Sequence, residues 1–463
     1  MSGRDSEFVC QGCGHTALAW TGRCPGCGEW NTLVETRRRE PRKGGRRGGR
    51  PAAKRDAPRP VPLRDVDAPA VDRLTTRIAE LDRVLGGGLV PGSLILLGGS
   101  PGIGKSTLTG MALGNLCASG CRVLYVSGEE SAAQVRLRAE RLGSDALAVP
   151  VLAETSVESV VETLEAERPD VCVIDSIQTL NVEGMTGAPG SVGQVREAAG
   201  AIMEAAKHLG TAVVLVGHVT KDGSVAGPRV LEHLVDGVLL FEGERERSFR
   251  TLRALKNRFG ATSEVGVFEM RAGGLVEVAD PSARFVSEAS RAAGSCVLCA
   301  MEGTRPLLVE VQALVAPTEI VPPRRVATGI DRNRLAMIIA VLARNGGPSL
   351  AAADVFVNVA GGVRVDEPGA DLAIALALAS AHRGEPLGPA DGQPLACFGE
   401  VGLTGELRFV AHPERRVAEA GKFGLRPVVG PESAESIDGL ESMATLAAAL
   451  KSARGTPAIR RAA

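Results

Sequence analysis

The stretch Gly99-Ser100-Pro101-Gly102-Ile103-Gly104-Lys105-Ser106-Thr107 follows the apolar run "SLILL" and opens the helical stretch "STLTGMALGNLCASG". A GxxxxGKS pattern between a strand and a helix is a phosphate loop. Its glycines let backbone N–H groups curl around phosphate oxygens, its lysine reaches the β and γ phosphates, and its serine hydroxyl ligates Mg²⁺. Gly99 to Thr107 is therefore the candidate cradle for ATP, with Lys105 catalytic and Ser106 on the metal. Working outward, the runs "VLYVSG", "VCVIDS" and "AVVLVGH" alternate with helical segments. Continuous apolar strands separated by helices predict an α/β fold whose parallel sheet is covered on both faces. Asp175 ends one of these strands, where a charge is costly unless it faces a metal, so it is expected to hold Mg²⁺ directly or through water. Glu129 and Glu130 end another strand. Glu129 is the first choice to orient and deprotonate the attacking water, and Glu130 fits the positive end of the helix that follows.

The 463 residues are 44% hydrophobic, ample for two or more domains. No apolar run reaches the roughly 18 to 20 residues of a membrane span, and "MSGRDSEFVCQ" lacks the apolar core of a secretory signal. A cytoplasmic location without a membrane partner is the expectation. The ten cysteines are accordingly read as metal ligands or core residues before disulfides. The net charge of −1 conceals a segregation, because the segment from Arg37 to Arg59 holds eleven basic residues against Glu40 and Asp56. Rich in Gly, Pro and Ala, that segment has nothing to bury and reads as a disordered linker. It is either a solvated tether or a polycation that holds nucleic acid through its phosphates.

Ahead of the linker, Cys10-x-x-Cys13 and, ten residues on, Cys24-x-x-Cys27 form two chelating turns, each followed by a glycine, Gly14 and Gly28. Four thiolates suit one structural Zn²⁺, with iron as the lesser alternative. His15 is not needed as a ligand. Cys117, Cys121, Cys172, Cys296, Cys299 and Cys397 sit in apolar surroundings and read as small hydrophobes. The expected division is residues 1–35 as a zinc-binding module, 36–62 as linker, 63–280 as a nucleotide-binding domain and 281–463 as a further α/β domain.

The placement of the acid after the phosphate-loop helix resembles the RecA-like ATPase core. The four-cysteine head, "GGSPGIGKST", "YVSGEES", "VIDSIQTL", "GHVTKDGSVAGPRVLEHLVD" and "LKNRFG", in this order, resemble the bacterial RadA (Sms) family of DNA repair proteins over nearly the whole chain. That resemblance implies a ring-forming ATPase, usually a hexamer, acting on single-stranded and branched DNA in recombination alongside the RecA recombinase. It implies a sensor role for His218 and Thr220, and DNA contacts from Lys221 and Arg229 with Arg196 behind them. It also makes Lys256 and Arg258 of "LKNRFG" fingers that reach a neighbouring subunit's nucleotide. With aromatics at 3%, base stacking is poorly provided for, and backbone tracking by cations fits better.

From Gly294 to about Leu450, "CVLCAMEGTRPLLVEVQALV", "VNVAGGVRVDEPGADLAIALALAS" and "GEVGLTGELRFVAHPERRVAEAGKFG" resemble the proteolytic domain of Lon proteases. The segment expected to carry the serine nucleophile reads Asp366-Glu367-Pro368-Gly369-Ala370-Asp371, with no serine until Ser380, and the expected lysine segment, His412 to Arg416, holds arginines. Arginine stays protonated and cannot act as the base. The domain is therefore expected to be an assembly scaffold, with Arg324, Arg325, Arg332 and Arg334 as a surface for DNA. Three functions compete: a DNA motor or helicase, an ATP-dependent protease, and an adaptor that ATP merely switches. The motor leads.

Overall fold

The computed structural model describes residues 6–10, 15–26, 28–30, 32–37, 62, 72–185, 187–217, 229–243, 249–271, 273–287, 289–362, 364–388 and 392–454. Most of the expected basic linker lies outside them. The chain divides into two compact units, Met1–Leu240 with Leu255–Gly260, and Phe241–Ala254 with Ala261–Ala463.

In the first unit, β1 (Ser6–Cys10), β2 (Thr16–Ala17) and β3 (Leu33–Arg37) make an antiparallel sheet of order β2-β1-β3. Its core is small: Cys10, Cys24 and Leu33, backed by Phe8 and Ala17. A head this size cannot hold itself by apolar burial alone, which is the usual reason for a metal.

After α1 (Ala79–Leu85) the chain alternates strand and helix. β4 (Leu94–Gly99) leads to α2 (Lys105–Ala118), then β5 (Val123–Ser127), α3 (Ala132–Ala139) and α4 (Ser144–Leu147). Next come β6 (Val151–Ala153), α5 (Val157–Glu167), β7 (Val171–Asp175), α6 (Val192–Leu209), β8 (Ala212–Val216), α7 (Arg229–Leu234) and β9 (Gly237–Glu242). The sheet order is β9-β4-β8-β7-β5-β6, and the pairings β4 with β8, β8 with β7, and β7 with β5 are parallel. Every residue of β4, β5 and β7 is buried, as a strand covered on both faces requires. The expected parallel α/β architecture is thus observed. Register sets the active edge: Ser127, Asp175, Val216 and Leu97 lie in one row across β5, β7, β8 and β4. The loops leaving those strands consequently emerge side by side, at the carboxyl ends where parallel sheets bind ligands.

The second unit holds most of β10 (Phe249–Asn257), then β11 (Val265–Arg271), β12 (Gly274–Glu277), α8 (Pro281–Val286), β13 (Ser295–Glu302) and β14 (Arg305–Pro317). It continues through β15 (Arg325–Thr328), α9 (Arg332–Arg344), β16 (Ala353–Val359), α10 (Asp371–Arg383), β17 (Ala396–Cys397), β18 (Glu400–Val401) and β19 (Leu407–Arg408). It closes with α11 (Pro413–Lys422), β20 (Val428–Pro431), β21 (Leu440–Met443) and α12 (Leu446–Ser452). Its main sheet runs β15-β16-β14-β13-β17-β20-β21, mixing antiparallel and parallel pairs. Helix α10 is buried from Asp371 to Ser380, so its sequence is apolar all round rather than striped.

Candidate nucleotide site and metal-binding head

The phosphate loop joins β4 to α2. Gly102 (φ 74°) and Gly104 (φ 116°) are left-handed, a backbone that a side chain would strain, and Gly104 is the N-cap of α2. Lys105, Ser106 and Thr107 form the first turn of α2, whose N–H groups have no partner within the helix and carry the positive end of its dipole. Lys105 is buried and folds back to donate to the carbonyls of Gly99 (2.8 Å) and Ser100 (3.1 Å). Burial holds its ammonium below the usual lysine range, while the charges of Asp175 and Glu129 oppose that shift. The three predicted catalytic groups of this edge are therefore electrostatic neighbours. This donor set, a helix N-terminus with one lysine, one serine hydroxyl and two carboxylates, fits a Mg²⁺-bound nucleoside triphosphate.

Asp175 is held from behind. The buried Tyr125 hydroxyl on β5 donates to its Oδ2 at 2.6 Å, and Arg138 Nη2 on α3 donates to Tyr125 Oη at 2.7 Å. Burial, then the Asp175 charge, drives the Tyr125 phenol far above the ordinary tyrosine range, so it remains a donor. The other nitrogen of Arg138 pairs with Glu130. Helix α3 begins at Ala132, two residues after Glu130: Ser131 is its N-cap in a capping box with Gln134, and Glu130 pairs with Arg138. Glu129 accepts from Ser176 Oγ at 2.5 Å, which ties it to the residue after Asp175.

Tyr125, Arg138 and Gln178 were not singled out by their sequence. The legible signal for Tyr125 was that the chain's single tyrosine lies in a strand too apolar to leave its hydroxyl unpaired. Gln178 follows β7. Both polar atoms of its amide are buried without a hydrogen-bond partner among the described residues. Its Nε2 lies 3.4 Å from where a Cβ on Gly217 would stand, at the end of β8. His218, Thr220 and Lys221 lie outside the described residues; Arg229 opens α7. Arg196 is on α6, with Nη1 buried and unpartnered among the described residues.

"LKNRFG" ends β10. Lys256 Nζ donates to the carbonyls of Glu232 (2.6 Å) and Val235 (2.7 Å), at the negative end of α7. Arg258 pairs with Asp236 Oδ1 at 3.1 Å, and its side chain stays 54% exposed. Asp236 Oδ2 in turn accepts from the N–H of Leu94, the first residue of β4. The phosphate loop follows the last residue of that strand, five steps or about 16 Å away at some 3.3 Å per residue. Lys256 and Arg258 thus sit at the opposite end of the sheet from their own chain's nucleotide cradle.

In the head, Cys10 and Cys24 are buried together. The Gly26 N–H donates to Cys24 Sγ (3.3 Å) and the Gly28 N–H to the Cys24 carbonyl (2.9 Å), with Gly28 at φ 77°. An N–H aimed at sulfur inside a tight turn stabilises a thiolate, which is what a metal ligand must be. Cys13 and Cys27 lie outside the described residues.

In the second unit, the segments expected to supply a proteolytic dyad bond to each other. Arg416, 2% exposed, is bidentate to Glu367 (2.9 and 2.6 Å) and donates to the Cys299 carbonyl (2.7 Å). Ser380 donates to the Glu385 carbonyl and accepts from the Gly294 N–H. Arg334 is bidentate to buried Asp371, and Arg325 is spent on the carbonyls of Leu350, Ala353 and Arg324, leaving Arg324 and Arg332 at the surface.

Two family models match the chain, an AAA domain over residues 57–224 and a rubredoxin metal binding domain over residues 8–35. The DNA repair protein RadA of Bacillus subtilis (strain 168) is 49% identical over 441 residues, covering 95% of this chain and 94% of the relative. The DNA repair protein RadA of Brucella abortus (strain 2308) is 50% identical over 92% of this chain and 91% of its own length. That of Streptococcus pyogenes serotype M6 is 48% identical over 94% of each. With a phosphate loop and its carboxylates on one sheet edge, a cysteine-turn head and this likeness from end to end, the chain belongs to the RadA family of DNA repair proteins.

Proposed function

We propose that this chain is a Mg²⁺- and ATP-dependent motor that moves or unwinds branched DNA during homologous recombination, working with a RecA recombinase from a homo-oligomeric, hexameric ring in the cytoplasm. The observation that carries this reading is the distance between "LKNRFG" and the phosphate loop. An arginine anchored on Asp236, beside the start of β4, cannot reach a nucleotide bound beyond the end of that strand, so Arg258 acts on a neighbouring subunit's γ-phosphate. A ring of identical chains supplies that neighbour at every interface. Lys256, by fastening the motif to α7, sets the register of the finger.

Within each subunit the ammonium of Lys105 neutralises the β and γ phosphates. Ser106 and Asp175 are the side chains for Mg²⁺, and Glu129 orients and deprotonates water for in-line attack. Mg²⁺ supplies charge neutralisation across the phosphates when bound. His218 and Thr220 sense the γ-phosphate, and Lys221, Arg229 and Arg196 contact the DNA backbone. Cys10, Cys13, Cys24 and Cys27 hold Zn²⁺ in the head. The second unit is a Lon-like scaffold without proteolysis; support comes from Arg416 and Glu367, which satisfy each other where a serine and lysine would be required.

The test is strand displacement on a forked DNA substrate. Lys105→Ala is expected to lower ATP hydrolysis by at least about a hundredfold and to abolish displacement, since it removes the cation that matches the transferred charge. Displacement that persists in Lys105→Ala would defeat the motor and leave an ATP-switched adaptor.

A further inference from the structure

The last four carbonyls of a helix have no partner inside it, and in α1 all four are satisfied from outside. The Gly86 N–H donates to the Arg83 carbonyl (3.1 Å) and the Gly87 N–H to the Asp82 carbonyl (2.7 Å), as the left-handed Gly86 (φ 82°) directs. The other two carbonyls are taken by side chains remote from the helix in sequence. Asn257 Nδ2 donates to the Val84 carbonyl at 3.1 Å, and Arg73 Nη1 donates to the Leu85 carbonyl at 3.2 Å. Both side chains also hold the turn of "LKNRFG". Arg73 Nη2 donates to the Phe259 carbonyl at 2.6 Å, and Asn257 Oδ1 accepts from the Phe259 N–H at 2.9 Å. There the backbones meet glycine on glycine: a Cβ on Gly86 would lie 3.1 Å from the Gly260 Cα, and one on Gly260 equally near the Gly86 Cα. The end of α1 and the turn that carries Arg258 complete each other.

The seat is itself fixed. Arg73 adjoins the paired hydrogen bonds between Leu74 and Leu89 (2.8 and 2.9 Å), which pin its chain to the segment leading into β4. Thr76 donates through its N–H and Oγ1 to Asp82 Oδ1 on α1 (both 2.9 Å), and Asn115 Nδ2 on α2 donates to the Thr76 carbonyl at 3.0 Å. The end of α1 is thereby tied to the helix that carries the phosphate loop. Arg258 donates its backbone N–H to the Asp236 carbonyl at 3.0 Å, and the residues on either side of it, Asn257 and Phe259, are fastened to α1. We propose that Arg73 and Asn257 are positioning residues for the finger: by seating the turn on the end of α1 they set where Arg258 points, and the rate at the neighbouring subunit's nucleotide depends on them. The proposal rests on the reading of Arg258 as a finger that acts in trans. It brings in a residue 186 positions away from Phe259. Neither side chain hydrogen-bonds to the phosphate loop, so each is expected to affect turnover without affecting nucleotide affinity.

The test measures kcat, KM for ATP and nucleotide binding in full-length Arg73→Ala, Arg73→Lys and Asn257→Ala, each alone and mixed with Lys105→Ala subunits, with Arg258→Ala as the control. Arg73→Ala is expected to lower kcat roughly tenfold at unchanged KM and nucleotide Kd, because a misplaced charge loses much of its effect on the transferred phosphoryl group. Arg73→Lys keeps a cation that can donate to the same carbonyls and is expected to recover most of the rate. Mixing Arg73→Ala with Lys105→Ala should restore part of the turnover, since intact phosphate loops then meet well-placed fingers. A defect confined to a subunit's own fold or nucleotide cradle gains nothing from that mixture. Where Arg73→Ala fails to assemble, Asn257→Ala carries the same expectation. Wild-type kcat in the assembled variants, or a loss that mixing does not relieve while Arg258→Ala is relieved, overturns the positioning role and leaves the trans finger intact. If Arg258→Ala is not relieved although assemblies form, the trans reading falls and this proposal falls with it.

Discussion

At the scale of single residues, the predicted Mg²⁺ ligand Asp175 is governed by a phenol behind it. A carboxylate has two oxygens, and the Tyr125 hydroxyl donates to Oδ2, which fixes the plane of the group that would hold the metal. Arg138 strengthens that donation by polarising the same hydroxyl, and through Glu130 it ties the loop carrying Glu129 to Asp175. Tyr125→Phe keeps the ring and its packing while deleting one donor to a buried anion, a loss of about 1.4 kcal/mol or tenfold. The expected outcome is a turnover about tenfold lower with a raised half-saturating Mg²⁺ concentration. A Mg²⁺ titration of ATPase activity checks it, and an unchanged Mg²⁺ midpoint would remove Tyr125 from the positioning of Asp175.

At the scale of elements, β13 carries an acid that the second unit accommodates poorly. Burial, opposed by Arg253 and reinforced by Glu367, Asp366 and Glu242, pushes the Glu302 carboxyl up to about 7. The folded chain therefore holds a proton that the unfolded chain releases near its ordinary value of 4.5. The contribution of Glu302 to stability is full below that ordinary value and is lost as pH rises through about 7. Glu302→Gln removes the titrating group, so its melting temperature is expected to exceed the wild type's at about pH 8 and to match it near pH 4.5, by calorimetry across that range. A variant that melts lower at both pH values would show that the ion pair with Arg253 outweighs the burial of the charge. The same logic explains why Arg416 is tolerated in the core: it is paired on both prongs of Glu367 and lies over the Phe398 ring, 5.3 Å from its centroid.

At the scale of the whole molecule, the proposed division of hydrolysis between subunits has a direct signature. Arg258→Ala is expected to bind nucleotide normally and to lose hydrolysis, and mixing it with Lys105→Ala subunits should partly restore turnover. In mixed assemblies an intact phosphate loop then meets an intact finger at some interfaces; turnover that stays absent while assemblies still form would put Arg258 to another use. The phosphate loop, the α/β class and the four-cysteine head were legible in the sequence because each is local: glycine and cysteine spacing and apolar periodicity are set within a few residues. Local patterns also located Lys105 at the start of a helix and Glu129 and Asp175 at strand ends. Only the tertiary structure decided which strand ends share an edge, because parallel register aligns Ser127, Asp175 and Val216 from segments far apart in the chain. It likewise decided that Tyr125 stands behind Asp175 and that "LKNRFG" lies at the far end of the sheet from its own phosphate loop. Each of these is a meeting of side chains across long loops. No spacing rule encodes such meetings, because they are fixed by the packing of the folded chain.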